Sequence, residues 1–368
     1  LVIDYNTLIV LGAFLNKIKI LSVYNWKGGL GLMKRGLILK AYEPSQQDAV
    51  LKLWENSGLN NQFPADGHLW KINVENNLAF KSEDFWGAWN PQGKLLGFVL
   101  TRRFRDITAP PMMEERYGKT GWISLLLVVE SSRRHGIGTV LLEKAHAVLS
   151  DVESIRLGGD FNHFFPGVPE GESLGFFSNK GYTFNQELIN DLSLALDNWE
   201  LPEQPTSIIS GDYFFTQGKA GEEESILDFI GLPSNGFSPR WRYDLERIFK
   251  RGYSPENVTL IKSRSGKIEG FLQTWELKEV IEGALSRPII FWAMHEKPLR
   301  KHGSIGPLGI NSTIRGGGIG LALIAAGTAH LKKRGVTFVT IDWTALTTFY
   351  SKLGYHPWRS YRIGYKNL

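Results

Sequence analysis

Apolar and polar residues alternate along this chain in an order that runs through once and then returns. GLILKAYE predicts a short strand, and SQQDAVLKLWENS behind it carries the periodicity of a helix. FWGAWNPQGKLLGFVLTRR predicts a hairpin turning on Pro91–Gly93. A strand, WISLLLVVE, then leads through a glycine turn into a helix whose Ile137, Leu141, Ala145 and Val148 share one face. SIRLGGD predicts another strand, followed by a short aromatic helix and a last strand. The same sequence of elements returns with GDYFFTQ as strand and RWRYDLERIFKRG as helix. VTLIKSRSGKIEGFLQTW then predicts a hairpin turning on Ser265–Gly266, followed by the strand IGPLGINS, a second glycine turn, an amphipathic helix and the strand TFVTIDW.

Echoed stretches in the same order support the repetition. GKLLGFVLTRR at 93–103 echoes GKIEGFLQTWE at 266–276, and FFSNKGY at 176–182 echoes FYSKLGY at 349–355, both at an offset of 173 residues. Between them RRHGIG at 133–138 echoes RGGGIG at 315–320 at an offset of 182. The second copy therefore has a longer connection before its glycine turn, and the first compensates after its own, around FNHFFPGVPEGES. The expected fold is mixed α/β, α+β-like in character, with two tandem domains, each a mixed sheet flanked by helices. The expected domains are 33–198 and 208–368, joined by a linker at 199–207 where two prolines arrive.

Residues 1–32 read differently. LIVLGAF is too short to span a membrane, and Asp4 stands where a signal peptide carries positive charge. MKRGLILKAYEPS at Met33 resembles a natural start, and KGGLGL before it can be encoded by a purine-rich stretch like a bacterial ribosome-binding site. The expectation is that residues 1–32 are non-native or disordered and carry no function. Over 368 residues, 42% are hydrophobic and 21% charged, and the net charge is +5. That balance suits an anionic small ligand and gives no track for nucleic acid. With no cysteine, disulfides, thiolate metal sites and a cysteine nucleophile are excluded, and a cytoplasmic setting is expected. The eight histidines lack a two-ligand helical spacing, so no metal site is expected.

A glycine turn between strand and helix can serve packing alone. Two such turns, each with an arginine at the same place, point instead to an anion held by free helix-start N–H groups. A Walker P-loop is missing its Lys and Ser/Thr, since Leu321 and Ala322 follow the second turn and Thr139 and Val140 the first. A dinucleotide turn belongs early in a βαβ unit, whereas here a hairpin precedes it, although Asp342 does lie about twenty residues past Gly320.

Arg133-x-x-Gly136-x-Gly138 and Arg315-x-x-Gly318-x-Gly320, each with a downstream aromatic–Gly–Tyr segment (FFSNKGY, FYSKLGY), resemble the GNAT acetyltransferase superfamily. The resemblance covers nearly everything after residue 33, as a tandem pair. It implies acetyl-CoA as co-substrate, with its pyrophosphate on Arg315, Gly316, Gly318, Ile319 and Gly320, or on Arg133, Gly136 and Gly138. Its pantetheine arm would lie along Leu308 and Ile310, or Leu126 and Val128. Tyr350 matches the position of the family's acid, which protonates the departing sulfur, while the first copy has Phe177 there. The second copy is therefore the catalytic candidate. Glu276, at the end of the hairpin strand, is the candidate general base, and Asp342 with Trp343 the candidate acceptor-binding pair.

Trp241, Trp275, Trp343 and Trp358 are expected near the cleft, and aromatic faces flanked by acids suit sugar rings. His163 is expected to be loop scaffolding, with lining of the cleft as the alternative. A second, looser resemblance is to a bacterial tandem group that N-acetylates glucosamine and glucosaminides, from which Asp342–Trp343 departs where Gly–Trp is expected. The acceptor expected is a small-molecule amine, most simply an amino sugar. A mycothiol-precursor or peptide amine, a non-catalytic CoA-binding module, and aminoacyl transfer from tRNA are the alternatives. The expected state is a monomer or homodimer, without a nucleic-acid or membrane partner.

Overall fold

The computed structural model describes residues 36–77, 80–161, 163–201, 213–278 and 287–368. The extension 1–32 and residues 202–207 of the expected linker lie outside them. In chain order the first half holds β1 (Ile38–Ala41), α1 (Gln47–Glu55), β2 (Phe85–Trp89), β3 (Leu95–Arg103), β4 (Thr120–Val128) and α2 (Ile137–Val148). Then come β5 (Ser154–Leu157), β6 (Val168–Pro169), β7 (Thr183–Phe184) and β8 (Ile189–Ala195). The second half holds β9 (Tyr213–Gln217), α3 (Glu223–Gly231), α4 (Pro239–Phe249), β10 (Val258–Ser263), β11 (Ile268–Glu276) and α5 (Pro288–Glu296). It closes with β12 (His302–Ile310), α6 (Ile319–Lys333), β13 (Phe338–Thr344), α7 (Thr347–Ser351), β14 (His356–Arg362) and β15 (Gly364–Asn367). Among the described residues no helix is long and apolar enough to cross a membrane.

The described residues fall into two compact units. One takes the residues up to Asn60 with Lys81–Thr101 and Leu125–Ser150; the other takes Asn61–Phe80, Arg102–Ser124 and Asp151–Leu368. In the first unit β1, β2 and β3 form an antiparallel meander. The predicted hairpin turns where Gly93 adopts φ +79, a conformation that favours glycine, and Lys94 N–H donates to Asn90 Oδ1 at 2.8 Å. α1 buries Val50, Leu53 and Trp54, and α2 buries Ile137, Leu141, Leu142 and Ala145. Val148 is only half-buried; the helix ends there and the buried Leu149 takes the inward position.

In the second unit the two repeats exchange strands. β8 closes the first repeat, yet it lies between β13 and β14 of the second, antiparallel to both. β15 closes the second repeat, yet it lies between β5 and β7 of the first. Strand pairing thus crosses the division expected at 198–208. Leu192, Leu194 and Leu196, on and just past β8, pack in one core with Val339, Ile341 and Tyr355. Each buried leucine contributes about 1.5–3 kcal/mol.

The longer connection of the second repeat lies between β11 and β12 and holds α5, where the first repeat has the shorter helix Pro111–Tyr117; the apolar periodicity did not single out α5 because it is buried nearly all round. The compensating length in the first repeat runs into β6, which pairs with β14 in the second repeat's sheet.

Because each repeat's sheet loses an inner strand when the repeats are separated, fragments 33–198 and 208–368 are each expected to lack a cooperative thermal transition. Mixing or co-expressing them is expected to restore it. A 208–368 fragment that melts cooperatively by itself would contradict the exchange.

Candidate functional site

β12 and β13 run parallel but pair only from His302–Ser304 to Phe338–Thr340. Beyond that point β12 stays with β11, through Leu308, Gly309 and Ile310, and β13 stays with β8. The two strands part, and a cavity of about 1980 Å³ opens where they separate. Leu308 and Ile310 lie on the parted stretch of β12 and line the cavity, as do Gly316–Leu321 of the turn. Backbone polar groups on the open side of such a strand have a ligand to face in place of a neighbouring strand.

The turn is held open by backbone geometry. Gly316, Gly317 and Gly318 have φ of +104, +55 and +83, and Gly318 is the N-cap of α6 with no side chain capping the helix start. Uncapped N–H groups and the helix dipole are therefore presented to the cavity. The first repeat builds a similar turn, with Arg134 at φ +62 and Gly136 at φ +81.

The arginines are tied to the backbone beside each turn. Arg315 Nε donates to Ile310 O at 2.9 Å, a second nitrogen donates to Asn235 O, and the guanidinium lies over the Phe237 ring. Arg133 repeats the pattern, with Nε to Val128 O at 3.1 Å and NH2 to Ser57 O at 2.8 Å. Each arginine ties the end of its strand to an upstream carbonyl, because its fork matches two orphaned acceptors. Its charge stays beside the turn while its donors hold the scaffold.

Tyr350, on α7, lines the cavity and is 7% exposed. Its ring packs edge-on to Phe349 and Tyr355. Burial, and then the nearby Asp342 carboxylate, push its phenol up to about 12. Such a phenol remains a proton donor across the neutral range. Phe177, its counterpart in the first repeat, is buried against Tyr182.

Across the cavity Trp343 has φ +54, and the β13–β8 register shifts between Ile341 and Thr344. This bulge is where Asp342 and Trp343 enter the cavity lining. Asp342 accepts from Arg287 at 3.0 Å, and Arg287 also donates to Ser304 Oγ at 3.2 Å. His163 is more than loop scaffolding: it lines the cavity and stacks on Trp343 with ring centroids 4.5 Å apart. Burial, then Arg240 and Arg287, hold its imidazole well below the ordinary value, so it is neutral. His163 Nε2 is 3.9 Å from Asp244 Oδ2, and Asp244 is bound by Arg240 Nε at 2.9 Å. Burial raises the Asp244 carboxyl against the opposing pull of Arg240.

Glu276 is not in this site. It ends β11, pairs with Gly303 at the start of β12, and forms an ion pair with Arg334 just past α6. The turn follows the other end of β12, seven residues on, or roughly 23 Å along an extended strand. Gln273 and Trp275 on the same strand do line the cavity, and because successive side chains take opposite faces Glu276 turns to Arg334 instead. Trp241, Trp275 and Trp343 line the cavity; Trp358 does not, and its indole donates to Glu296 at 2.9 Å. Asp244, Arg240 and Arg287 were missed because their helices carried no motif. The extra length around FNHFFPGVPEGES was the one signal pointing to His163.

The acetyltransferase (GNAT) family model matches residues 51–158, within the first repeat. Over that stretch the chain resembles the GNAT acetyltransferases. Among solved structures it resembles a GCN5-related glucosamine N-acetyltransferase region in a fungal multi-domain GH3 β-N-acetylglucosaminidase, at 25% identity and a TM-score of 0.77. That match covers 91% of this chain and 38% of the fungal one, so this chain spans well under half the length of that relative. A GCN5-related N-acetyltransferase from Sphaerobacter thermophilus matches at 17% identity and a TM-score of 0.64, over 90% of this chain and 95% of its own. A tandem GNAT protein from the clavulanic acid biosynthesis pathway matches at 14% and 0.56, over 90% and 98%. The latter two show the fold alone. No curated protein matches the chain significantly.

Glu276→Gln is expected to lower stability by about 1 kcal/mol, the scale of a partly exposed ion pair, and to leave turnover of amines unchanged. A fall in kcat of tenfold or more would return Glu276 to the chemistry.

Proposed function

We propose that this chain is an acetyl-CoA-dependent N-acetyltransferase whose second repeat acetylates the primary amine of an amino sugar. The observation that carries the reading is the placement of the Tyr350 phenol in the one cavity that also takes in the parted β12 strand and the Gly316–Gly318 turn. The turn suits a diphosphate, the open strand suits an extended amide-bearing arm, and together they fit acetyl-CoA.

In this reading Asp342 and Asp244 hold the acceptor's ammonium, and the neutral imidazole of His163 takes its proton. The freed amine attacks the thioester carbon; a C–N bond forms as the C–S bond breaks. Tyr350 gives its proton to the departing sulfur and regains one from the second N–H of the attacking nitrogen, while the proton taken by His163 passes to solvent, so one proton is released over the whole reaction. The Trp343–His163 stack supplies an apolar face for a sugar ring beside these acids. The likeness to a fungal glucosamine N-acetyltransferase region supports the choice of acceptor.

Thiol release against glucosamine, oligoglucosamine, polyamines and peptides tests the acceptor. Tyr350→Phe is expected to lower kcat by roughly 10²–10⁴-fold. Since the Tyr350 phenol sits near 12 rather than 10, the proton donor is intact at pH 10, and kcat is expected to hold from pH 8 to 10. Full turnover by Tyr350→Phe, or an alkaline loss near pH 9 that Tyr350→Phe abolishes, would refute the acid role.

Gly318→Glu places a side chain at a left-handed position, costing about 1–2 kcal/mol, and a carboxylate at the turn. It is expected to weaken CoA binding at least tenfold by calorimetry, whereas unchanged affinity would move the site elsewhere.

A further inference from the structure

Trp343 is the residue at the acceptor end whose conformation most needs an explanation. A bulky aromatic at φ +54 is strained and persists only where its surroundings hold it. The stack on His163 holds its ring; its backbone N–H donates to Asp191 Oδ1 at 3.2 Å. Asp191 belongs to β8, the strand that the first repeat contributes to the second repeat's sheet. The same oxygen accepts from the buried Tyr361 hydroxyl of β14 at 3.0 Å, so one carboxyl links three adjacent strands.

Asp191 is fully buried, and its Oδ2 has no hydrogen-bond partner among the described residues. Keeping such a group in a sheet interior is costly, and an apolar residue would satisfy packing alone. The groups that face it are Asp342 on β13 and Arg359 and Tyr361 on β14. Burial first, and then Asp342, raise its carboxyl to about 7, with Arg359 opposing.

We propose that Asp191 is a positioning residue for the acceptor end: by holding the Trp343 N–H it fixes the bulge that turns Asp342 and Trp343 into the cavity. The first repeat, which has Phe177 where the second has Tyr350, thereby supplies part of the second repeat's acceptor site. This rests on the amine-acetylating reading for its effect on turnover, but the contact itself can be read without substrate.

The experiment compares Asp191→Ala, Asp191→Asn and, as a control on the same strand, Ser193→Ala in the full chain. Hydrogen exchange over residues 338–346 is expected to show at least tenfold faster exchange of the Trp343 amide in Asp191→Ala. Near wild-type exchange is expected in Asp191→Asn, whose amide oxygen accepts both bonds, and in Ser193→Ala. With glucosamine as acceptor, Asp191→Ala is expected to raise the acceptor KM at least tenfold while CoA affinity stays within twofold, and Asp191→Asn to restore that KM. Should the alanine variant not fold, the asparagine variant decides. The wild-type acceptor KM is expected to change between pH 6 and 8 as Asp191 ionises, and this component is expected to vanish in Asp191→Asn. Unchanged Trp343 exchange in a folded Asp191→Ala overturns the proposal, as does an Asp191→Asn profile identical to wild type. So does equal loss of CoA and acceptor affinity. A wild type that acetylates no amine sinks the proposed function instead, and the exchange result still stands or falls independently.

Discussion

Two parallel strands stop sharing hydrogen bonds after Ser304 and Thr340, and most of the site follows from that parting. A buried backbone group must find a partner, so each strand that leaves the other needs a neighbour on its far side. β11 serves β12, and β8 serves β13. The gap between them becomes the cavity, with the Gly316–Gly318 turn at the end of β12 and Tyr350 shortly after β13. Strand, turn and phenol converge because each is attached to one side of the same opening.

The neighbour that lets β13 leave comes from the other repeat. Two similar repeats offer similar last strands, and the structure pairs each with the other repeat's sheet. Through this exchange each repeat's sheet contains a strand of the other, although only one repeat has the tyrosine. The insertion that carries His163 also begins in the first repeat and reaches the second repeat's cavity. The copies thus differ in what they bring to one cavity: the second carries Tyr350, and the first contributes His163, with Asp191 behind Trp343.

Much of this was legible in the sequence. The hairpins, both glycine turns and the contrast between Tyr350 and Phe177 follow from local patterns that repeat, and repetition filters chance matches. Glu276 was misread because a strand's end does not reveal which face its last side chain takes; Trp275 beside it lines the cavity, and Glu276 pairs with Arg334 on the other face. Arg315 and Arg133 were legible as residues at the turn but not as backbone ties, since Asn235 and Ser57 lie 80 and 76 residues away in the chain. Asp191 left no local signal, because its partners Trp343 and Tyr361 come from strands more than 150 residues on, and the exchange that unites them is invisible to periodicity.

The most direct test of the account is a crystal structure of the full chain with CoA. The diphosphate is predicted to lie against the N–H groups of Gly316–Gly320, with the sulfur within hydrogen-bond reach of the Tyr350 hydroxyl. CoA seated only at the 133–138 turn, or a sulfur remote from Tyr350, would contradict it.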